Sequence, residues 1–199
     1  IKGIGTSSDG KTSAIYAPES KGQLKALKEA YREADIAPST IGLIEAHGTG
    51  TRVGDKVEFL ALKKCFDASS PKNQIAIGSV KSMIGHTKAA AGAAGIIKSA
   101  LSLYNKVIPP TLKALDPDPE LDINNSSFYL NSESKPWVST PSCPQRRSGV
   151  SAFGFGGSNF HVVLEEYKPL KTHISWDGAI QIVAFSADIK TELSDKIKI

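Results

Sequence analysis

Two short apolar runs separated by an amphipathic segment are the feature that most constrains the fold of this chain. Ile41–Ala46 and Ile75–Val80 are each bounded by turn signals, which is typical of buried strands. Between them, apolar residues recur on one helical face from about Asp55 to Phe66, which predicts a helix. This strand–helix–strand unit indicates an α/β fold rather than an all-helical or all-β one.

Further helices and strands extend this unit in both directions. Strands are predicted at Lys2–Ser7, Phe128–Asn131, Gly149–Phe153 and Phe160–Glu166, with a further strand at Val107–Thr111 that Pro109-Pro110 interrupts, and helices are predicted at Gln23–Ala34 and Thr87–Tyr104. The helix from Thr87 begins with Ala and Gly, whose small side chains let another backbone approach closely, so we place it centrally. The last two strands form a hairpin with a glycine-rich tip at Gly154–Asn159. This order predicts a layered α/β fold, in which site residues gather at the carboxyl ends of strands.

Composition and charge exclude several classes of function. The net charge of +4 comes from 24 basic and 20 acidic residues spread along the chain, so we predict no nucleic-acid partner. No stretch approaches the ~18 consecutive apolar residues of a membrane span, and we expect neither a membrane association nor a signal peptide. The two cysteines, Cys65 and Cys143, show no metal-binding spacing. A reduced, cytoplasmic protein without a metal is therefore expected.

Two histidines stand beside glycines just after the two buried strands. His47 precedes Gly48, and His86 follows Gly85. A lone histidine after a strand is usually a surface residue or one whose hydrogen bonds are already satisfied. If the strands are parallel neighbours, however, both imidazoles reach one edge of the sheet. A pair of imidazoles there could donate two hydrogen bonds to one developing oxyanion, or transfer a proton near neutral pH.

The glycine-rich hairpin tip could contribute to the same site. Backbone N–H groups of Gly154, Phe155, Gly156 and Gly157 could point at one oxyanion, while the phenylalanine ring excludes water. Such a site would suit acyl chemistry at a thioester. Taken alone, each signal has a simpler explanation: a tight turn, a solvated Lys81, or the capping-box spacing of Asp55 and Glu58 at the start of a helix.

Four motifs together resemble the β-ketoacyl synthases. "EAHGTGTRVGDKVE", "IGSVKSMIGHTKAAAGAAGIIK", "IPPTL" and "SGVSAFGFGGSNFHVVLEEY" occur in the order and at about the spacing of that family. The resemblance covers residues 1–167 and is strongest to the ketosynthase domains of type I polyketide synthases and polyunsaturated fatty acid synthases. It implies a thiolase-like layered fold, of which this chain is the C-terminal half only, and a decarboxylative Claisen condensation.

The resemblance also implies roles for individual residues. His47 and His86 match the histidines that bind the malonyl thioester carbonyl and stabilise the enolate, and Lys81 matches the lysine that supports them electrostatically. Thr49 and Thr51 match threonines that hydrogen-bond a phosphopantetheine arm.

Other matches lie in the hairpin tip and in the helix after His47. The Phe155 N–H matches an oxyanion donor within the substrate loop that contains Gly154, Gly156 and Gly157, and Asn159 matches a residue that braces this loop. Asp55 and Glu58 match a family Gly-Asp-x-x-Glu pattern, for which the capping box remains our preferred explanation.

The nucleophile of the family has no match here. Members carry a cysteine in a TACSS-like elbow upstream of the first histidine, whereas Cys65 lies on an apolar helix face and Cys143 lies between prolines. We therefore expect a chain that is inactive alone and is completed by a nucleophile-bearing N-terminal half. Residues 168–199 resemble the start of the linker toward an acyltransferase-type domain.

The resemblance implies partners rather than a bound cofactor. Phosphopantetheine would arrive on an acyl carrier protein, and the whole domain would be a homodimer. Two alternatives stay open from the sequence. One is a non-catalytic scaffold or carrier-protein docking module that keeps the motifs. The other is a biosynthetic thiolase, against which "GFGGSN" lacks the late cysteine of that class.

Overall fold

A computed structural model describes residues 1–10, 18–67, 70–114, 116–139, 144–167, 187 and 189–197. The chain divides into two units, Ile1–Pro169 and Leu170–Ile199. The described part of the second unit contains one helix, and apart from residues 187 and 189 the rest of the predicted linker lies outside the described residues, as does Cys143.

The helices and strands of the first unit follow the predicted order. The strands are β1 (Gly3–Ser8), β2 (Leu43–Glu45), β3 (Ile75–Gly78), β4 (Val107–Ile108), β5 (Phe128–Leu130), β6 (Lys135–Pro136), β7 (Arg147–Gly154) and β8 (Ser158–Glu165). The helices are α1 (Ser20–Ala34), α2 (Arg52–Phe66), α3 (Lys81–Ile84) and α4 (Ala91–Asn105), and α5 (Lys190–Ile197) lies in the second unit.

Six of these strands form one mixed sheet in the order β1-β8-β7-β2-β3-β5. β2 is parallel to both β3 and β7, with Glu45 paired to Gly78 on one side and to Val150 on the other. β8 runs antiparallel to β7 and β1. The carboxyl ends of β2, β3 and β7 therefore lie at one edge of the sheet, as the two-histidine prediction requires.

One face of the sheet is covered by α1 and α2. Alternation along the strands directs Ile44, Ile75 and Val163 into this layer, where they are buried with Phe66 and Phe128. Glycines in β1 allow α1 to pack unusually close to the strand. A Cβ at Gly5 would lie only 1.9 Å from the Ala26 carbonyl oxygen, so a larger residue could not be accommodated there. This face holds the larger of the two buried clusters.

The other face of the sheet is covered by α4. Its small residues pack against the strands as predicted: a Cβ at Gly92 would lie 3.4 Å from that of Ala152. The outward side of the same helix carries Ile97 and Leu101, which are 60% and 54% exposed. A helix that is apolar on both sides is typical of a middle layer.

Several predicted boundaries differ from the structure by a few residues, including those of α1, β2, β3 and β8 and the following three. α4 begins at Ala91 instead of Thr87, because Lys88 has a left-handed φ of 56° and opens a short 3-10 turn. The strand predicted at Val107–Thr111 ends at Ile108, immediately before the two prolines expected to interrupt it, because proline cannot donate to a ladder. α2 begins at Arg52 instead of Asp55. Among the described helices, none is long and apolar enough to cross a membrane.

Candidate active site

The loop that carries His47 is held by a buried carboxylate. The backbone N–H groups of His47 and Gly48 donate to the two oxygens of Glu58, each at 2.8 Å. Gly48 has a φ of 46°, and a Cβ there would lie 2.8 Å from the Ser79 Cβ. Only glycine fits this position without strain, which explains the His-Gly pair in the sequence.

The predicted capping box at Asp55 and Glu58 is wrong. The N-cap of α2 is Thr51, whose Oγ1 accepts a hydrogen bond from the Gly54 N–H at 3.2 Å. Asp55 lies further along the helix and accepts the Gly50 N–H at 3.1 Å. Because Glu58 is bonded to the preceding loop, it is unavailable to the helix terminus. Both acids support the site, but through loop amides instead of a cap.

His86 lies beside His47 and has a defined tautomer. It follows α3 and Gly85, whose φ of 78° turns the chain back toward β2. Its Nδ1 accepts the Lys88 N–H at 3.0 Å, so the proton of the neutral ring lies on Nε2. The two imidazole centroids are 5.4 Å apart at an interplanar angle of 84°. The structure thus brings together the two histidines singled out in the sequence.

Both imidazoles are neutral at physiological pH. Burial lowers the pKa of His47 to about 4, with further lowering by Lys81 and His86. His86 is exposed, and slight desolvation together with the charges of Lys81 and Lys88 also lowers its pKa. Within the described part of the chain, His47 Nδ1 is buried without a hydrogen-bond partner. Such an atom calls for an explanation, and a substrate or an adjoining segment would supply one.

Lys81 lies at the start of α3, between two buried carboxylates. Burial lowers the pKa of its ammonium group, while Glu58 and Glu45 oppose that lowering. Burial raises the pKa of Glu58 to about 7, despite its two backbone donors. The structure therefore places the predicted lysine in a half-buried position near His47, where its charge contributes to lowering the pKa of that imidazole.

Two charged residues at this edge escaped the sequence prediction. Glu45, the last residue of β2, is fully buried, and its Oε2 pairs with the Lys98 Nζ at 2.8 Å. The available signals were a glutamate that ends an apolar run and a lysine that interrupts the apolar half of α4. Their proximity could not be inferred, because 53 residues separate them.

The hairpin tip lies at the same edge, near His47 through Phe153, whose ring centroid is 5.9 Å away. Gly156 and Gly157 have φ values of 90° and 77° and form the tight turn. The Phe155 side chain is 93% exposed, so the expectation that its ring excludes water is wrong for this chain. Its backbone N–H and the surrounding glycines stay candidates for substrate contact.

Asn159 braces this tip, as its motif position suggests. It is buried, and its Nδ2 donates to Asp9 Oδ1 at 2.6 Å and to the Gly157 carbonyl at 3.4 Å. The Asp9 N–H in turn donates to the Gly157 carbonyl at 2.9 Å. The loop after β1 therefore fixes the tip between β7 and β8.

Thr49 and Thr51 present their hydroxyl groups at the surface beside His47. The two Oγ1 atoms are 2.9 Å apart, and both threonines are exposed. Thr49 and Lys81 also line a cavity of about 330 Å³. These hydroxyl groups could hydrogen-bond an arm that approaches the imidazoles, although Thr51 also has a structural role as the N-cap.

Cys65 lacks the features of an activated thiol. Burial raises its pKa to about 11. It lies seven residues beyond Glu58 on α2, which corresponds to about 10 Å along the helix axis.

In the described segments, no three His, Cys, Asp or Glu side chains are grouped as metal ligands.

Two strand-end histidines, a lysine and a glycine-rich hairpin thus lie together at one edge of the sheet, and comparisons with known proteins assign the chain to a family. The family model for the β-ketoacyl synthase C-terminal domain matches residues 1–114, and that for the ketoacyl-synthetase C-terminal extension matches residues 117–198. The first match covers more than half of the chain. The chain belongs to the β-ketoacyl synthase C-terminal domain family.

The similar proteins are large synthases. The chain is 47% identical over 175 residues to a polyunsaturated fatty acid synthase polypeptide from Thraustochytrium sp., covering 85% of this chain and 6% of the relative. It is 45% identical over 172 residues to the polyketide synthase PksL of Bacillus subtilis, covering 86% and 4%. The chain thus spans a small fraction of these relatives.

A solved ketosynthase has the same fold. The ketosynthase from module 6 of the bacillaene synthase of Bacillus subtilis 168 superimposes with a TM-score of 0.81 at 43% identity, covering 84% of this chain and 30% of that one. This confirms the predicted thiolase-like layered fold, of which the chain is the C-terminal part. The assignment of residues 168–199 as a linker stays a prediction.

Proposed function

We propose that this chain is the C-terminal part of a domain that catalyses decarboxylative Claisen condensation between an acyl thioester and a malonyl thioester. The observation that carries the proposal is the pair of neutral imidazoles, His47 and His86, with centroids 5.4 Å apart. Two relatives named as a polyketide and a polyunsaturated fatty acid synthase support the same reaction class.

The chemistry requires stabilisation of negative charge on one oxygen. When the malonyl group loses CO₂, the electrons of the broken C–C bond form an enolate at the thioester. Neutral imidazole N–H groups stabilise this oxygen without releasing a proton, and the Lys81 ammonium adds a favourable field. The enolate carbon then attacks the acyl thioester carbonyl, a C–C bond forms, and the thiolate leaves.

The nucleophilic cysteine that holds the acyl group is proposed to come from an N-terminal half outside these 199 residues. Cys65 is unsuited to the role, because its thiol has a pKa of about 11 and lies on a helix that packs on the core. The second thioester would arrive on the phosphopantetheine arm of an acyl carrier protein, with Thr49 and Thr51 as hydrogen-bond partners. A homodimer of the completed domain and a linker role for residues 168–199 belong to the same proposal.

The test uses the chain completed with a nucleophile-bearing N-terminal half, supplied with acyl- and malonyl-carrier protein. His47→Ala and His86→Ala are each expected to lower kcat for condensation by about 10²- to 10³-fold, as the loss of an oxyanion donor does. Glu120→Gln, at an exposed position on the same domain, is the control and should leave kcat unchanged.

Two results would contradict the proposal. Condensation that survives the double substitution of His47 and His86 would remove both residues from the catalytic site. A completed, folded domain that binds the carrier protein but condenses nothing would favour the non-catalytic scaffold.

A further inference from the structure

An ion pair is buried beneath the turn that carries Lys81. The side chains of Glu45 and Lys98 are 2% and 10% exposed, and their Oε2 and Nζ atoms are 2.8 Å apart. Transfer of two charges out of water is costly, and the attraction between them rarely gives a net gain in stability. Stability is therefore a weak explanation for this pair.

The second oxygen of Glu45 holds the backbone next to Lys81. Glu45 Oε1 accepts the Val80 N–H at 2.5 Å. Val80 is the N-cap of α3, the four-residue helix that starts at Lys81 and leads through Gly85 to His86. Glu45 itself lies two residues before His47. One carboxylate thus ties together the ends of β2 and β3, from which all three proposed catalytic side chains project.

The packing of α4 leaves room for this carboxylate and for little else. A Cβ added at Gly95 would lie 3.1 Å from Glu45 Cγ and 3.0 Å from Val150 Cγ1. Lys98 lies one helical turn further along α4 and reaches back to Glu45. The glycine therefore creates the space that the carboxylate fills, and the lysine fixes its orientation.

The charges of Glu45 and Lys98 also change the pKa of Lys81. Glu45 raises the pKa of Lys81, and Lys98 lowers it, so the two members act in opposite directions on one ammonium group. Burial raises the pKa of Glu45 itself, and Lys98 and the Val80 N–H oppose that rise. Lys98 hence favours the ionised carboxylate, which is a stronger acceptor for the Val80 N–H than the neutral acid.

We propose that Glu45 and Lys98 are positioning residues for the condensation: Lys98 keeps the carboxylate ionised and oriented, and Glu45 fixes the turn that sets Lys81 and His86 against His47. Neither side chain touches substrate; both act through the Val80–Lys81 backbone and through their charges. This inference rests on the proposed function.

The experiment uses the completed ketosynthase domain with the variants Glu45→Gln, Lys98→Met and their combination. Each single variant is expected to lower kcat by about 10- to 100-fold, with a smaller change in KM for the malonyl substrate, because a displaced catalytic group affects the chemical step. Lys98→Met should also destabilise the domain, because it leaves a buried carboxylate unpaired. The double variant should regain stability but not kcat, which keeps the test informative if a single variant unfolds.

The pH profile separates positioning from a purely structural role. If the Lys81 charge supports catalysis, activity declines as Lys81 deprotonates at high pH. Glu45→Gln removes a negative charge and should move that alkaline limb to lower pH, whereas Lys98→Met removes a positive charge and should move it to higher pH. Loss of stability without an effect on Lys81 predicts no such opposite shifts.

A matched control exists at the other end of the sheet. Arg146 and Glu166 form a similarly buried pair, with Nη1 and Oε2 2.9 Å apart and side chains 12% and 8% exposed. Glu166→Gln should alter stability but neither kcat nor the pH profile. If Glu45→Gln and Lys98→Met behave like Glu166→Gln while His47→Ala and His86→Ala abolish condensation, only this inference fails. If the histidine variants keep their activity, the proposed function itself fails.

Discussion

The two loops that carry the histidines are held in different ways. The His47 loop is clamped from below by Glu58, which binds two consecutive backbone N–H groups, and its imidazole is partly buried. The His86 ring is exposed and is fixed by a neighbouring amide, that of Lys88. The difference indicates that the chain alone preorganises the His47 side of the site, while the His86 side is open to whatever approaches the sheet edge.

The largest effect on the difference between the two loops is expected when the Glu58 carboxylate, which holds the His47 loop, is removed. Glu58→Ala leaves two N–H groups in a buried position without an acceptor. We expect the free energy of unfolding to fall by roughly 2–4 kcal/mol, because each buried unsatisfied donor costs about 1–3 kcal/mol and part of the loss is offset by the removal of a poorly solvated carboxyl group. Urea denaturation of the chain measures this, at a concentration where sedimentation shows a monomer.

Glu58→Gln and Glu120→Gln calibrate that loss. The amide keeps one acceptor oxygen but sets an NH₂ group against the other N–H, so its effect should fall between wild type and Glu58→Ala. Glu120 is exposed, and its substitution should change the free energy of unfolding by less than about 0.5 kcal/mol. Equal effects at Glu58 and Glu120 would show that the clamp contributes nothing.

The pairing of the histidines could be predicted from the sequence, and the way they are held could not. Both histidines follow short apolar runs, and parallel neighbouring strands place such residues at one edge whatever the rest of the chain does. Glu58 was misassigned because a local cap signature competes with a tertiary partner, and the helix in fact starts with "Arg-Val-Gly" after the Thr51 cap, ahead of the acidic pair. The spacing of Asp55 and Glu58 in the sequence cannot reveal that the Glu58 carboxylate accepts hydrogen bonds from the loop that contains His47.

Other contacts between residues far apart in the sequence could not be predicted either. The Glu45–Lys98 pair depends on how α4 packs across the sheet, which no local pattern encodes. Phe155 was expected to exclude water because of its position between glycines, but the turn directs the side chain outward. The glycine-rich tip was predictable as a turn, whereas the direction of its side chain depends on what packs against it.

Low pH should lower the free energy of unfolding through His47 more than through His86. This effect is expected to be smaller than that of Glu58→Ala. The pKa of His47 is about 4 in the folded chain, against an ordinary value of 6.5, so between these values the unfolded state binds more protons. Stability therefore falls as pH drops below 6.5 and levels off below about 4. His47→Asn should remove this component, and His86→Asn, at an exposed ring, should remove much less.

The measurement is the difference in urea midpoint between wild type and each variant from about pH 8 to about pH 4. Glu58, with a pKa of about 7, contributes with the opposite sign between 4.5 and 7, but it is present in all three proteins and cancels in the difference. Parallel profiles for the two variants would show that His47 is not the more buried titrating group.

The smallest effect concerns the threonines that follow His47. Thr51 Oγ1 accepts the Gly54 N–H and caps α2, so Thr51→Ala should lower the free energy of unfolding by about 1 kcal/mol. Thr49 bonds only to Thr51 among the described residues, so Thr49→Ala should cost less than about 0.5 kcal/mol. Thr51→Ser keeps the capping oxygen and should retain most of the stability.

The same two threonines distinguish a helix cap from a substrate contact. If both bind the phosphopantetheine arm, Thr49→Ala and Thr51→Ala should raise KM for the carrier-bound substrate to a similar extent, despite their unequal effects on stability. The measurement is KM for malonyl-carrier protein in the completed domain, with Thr51→Ser as the variant that keeps both the cap and the hydroxyl group. If KM instead rises in proportion to the loss of stability, Thr51 acts only as the N-cap of α2. Its hydroxyl group would then affect binding through the folding of the helix and not through contact with the substrate.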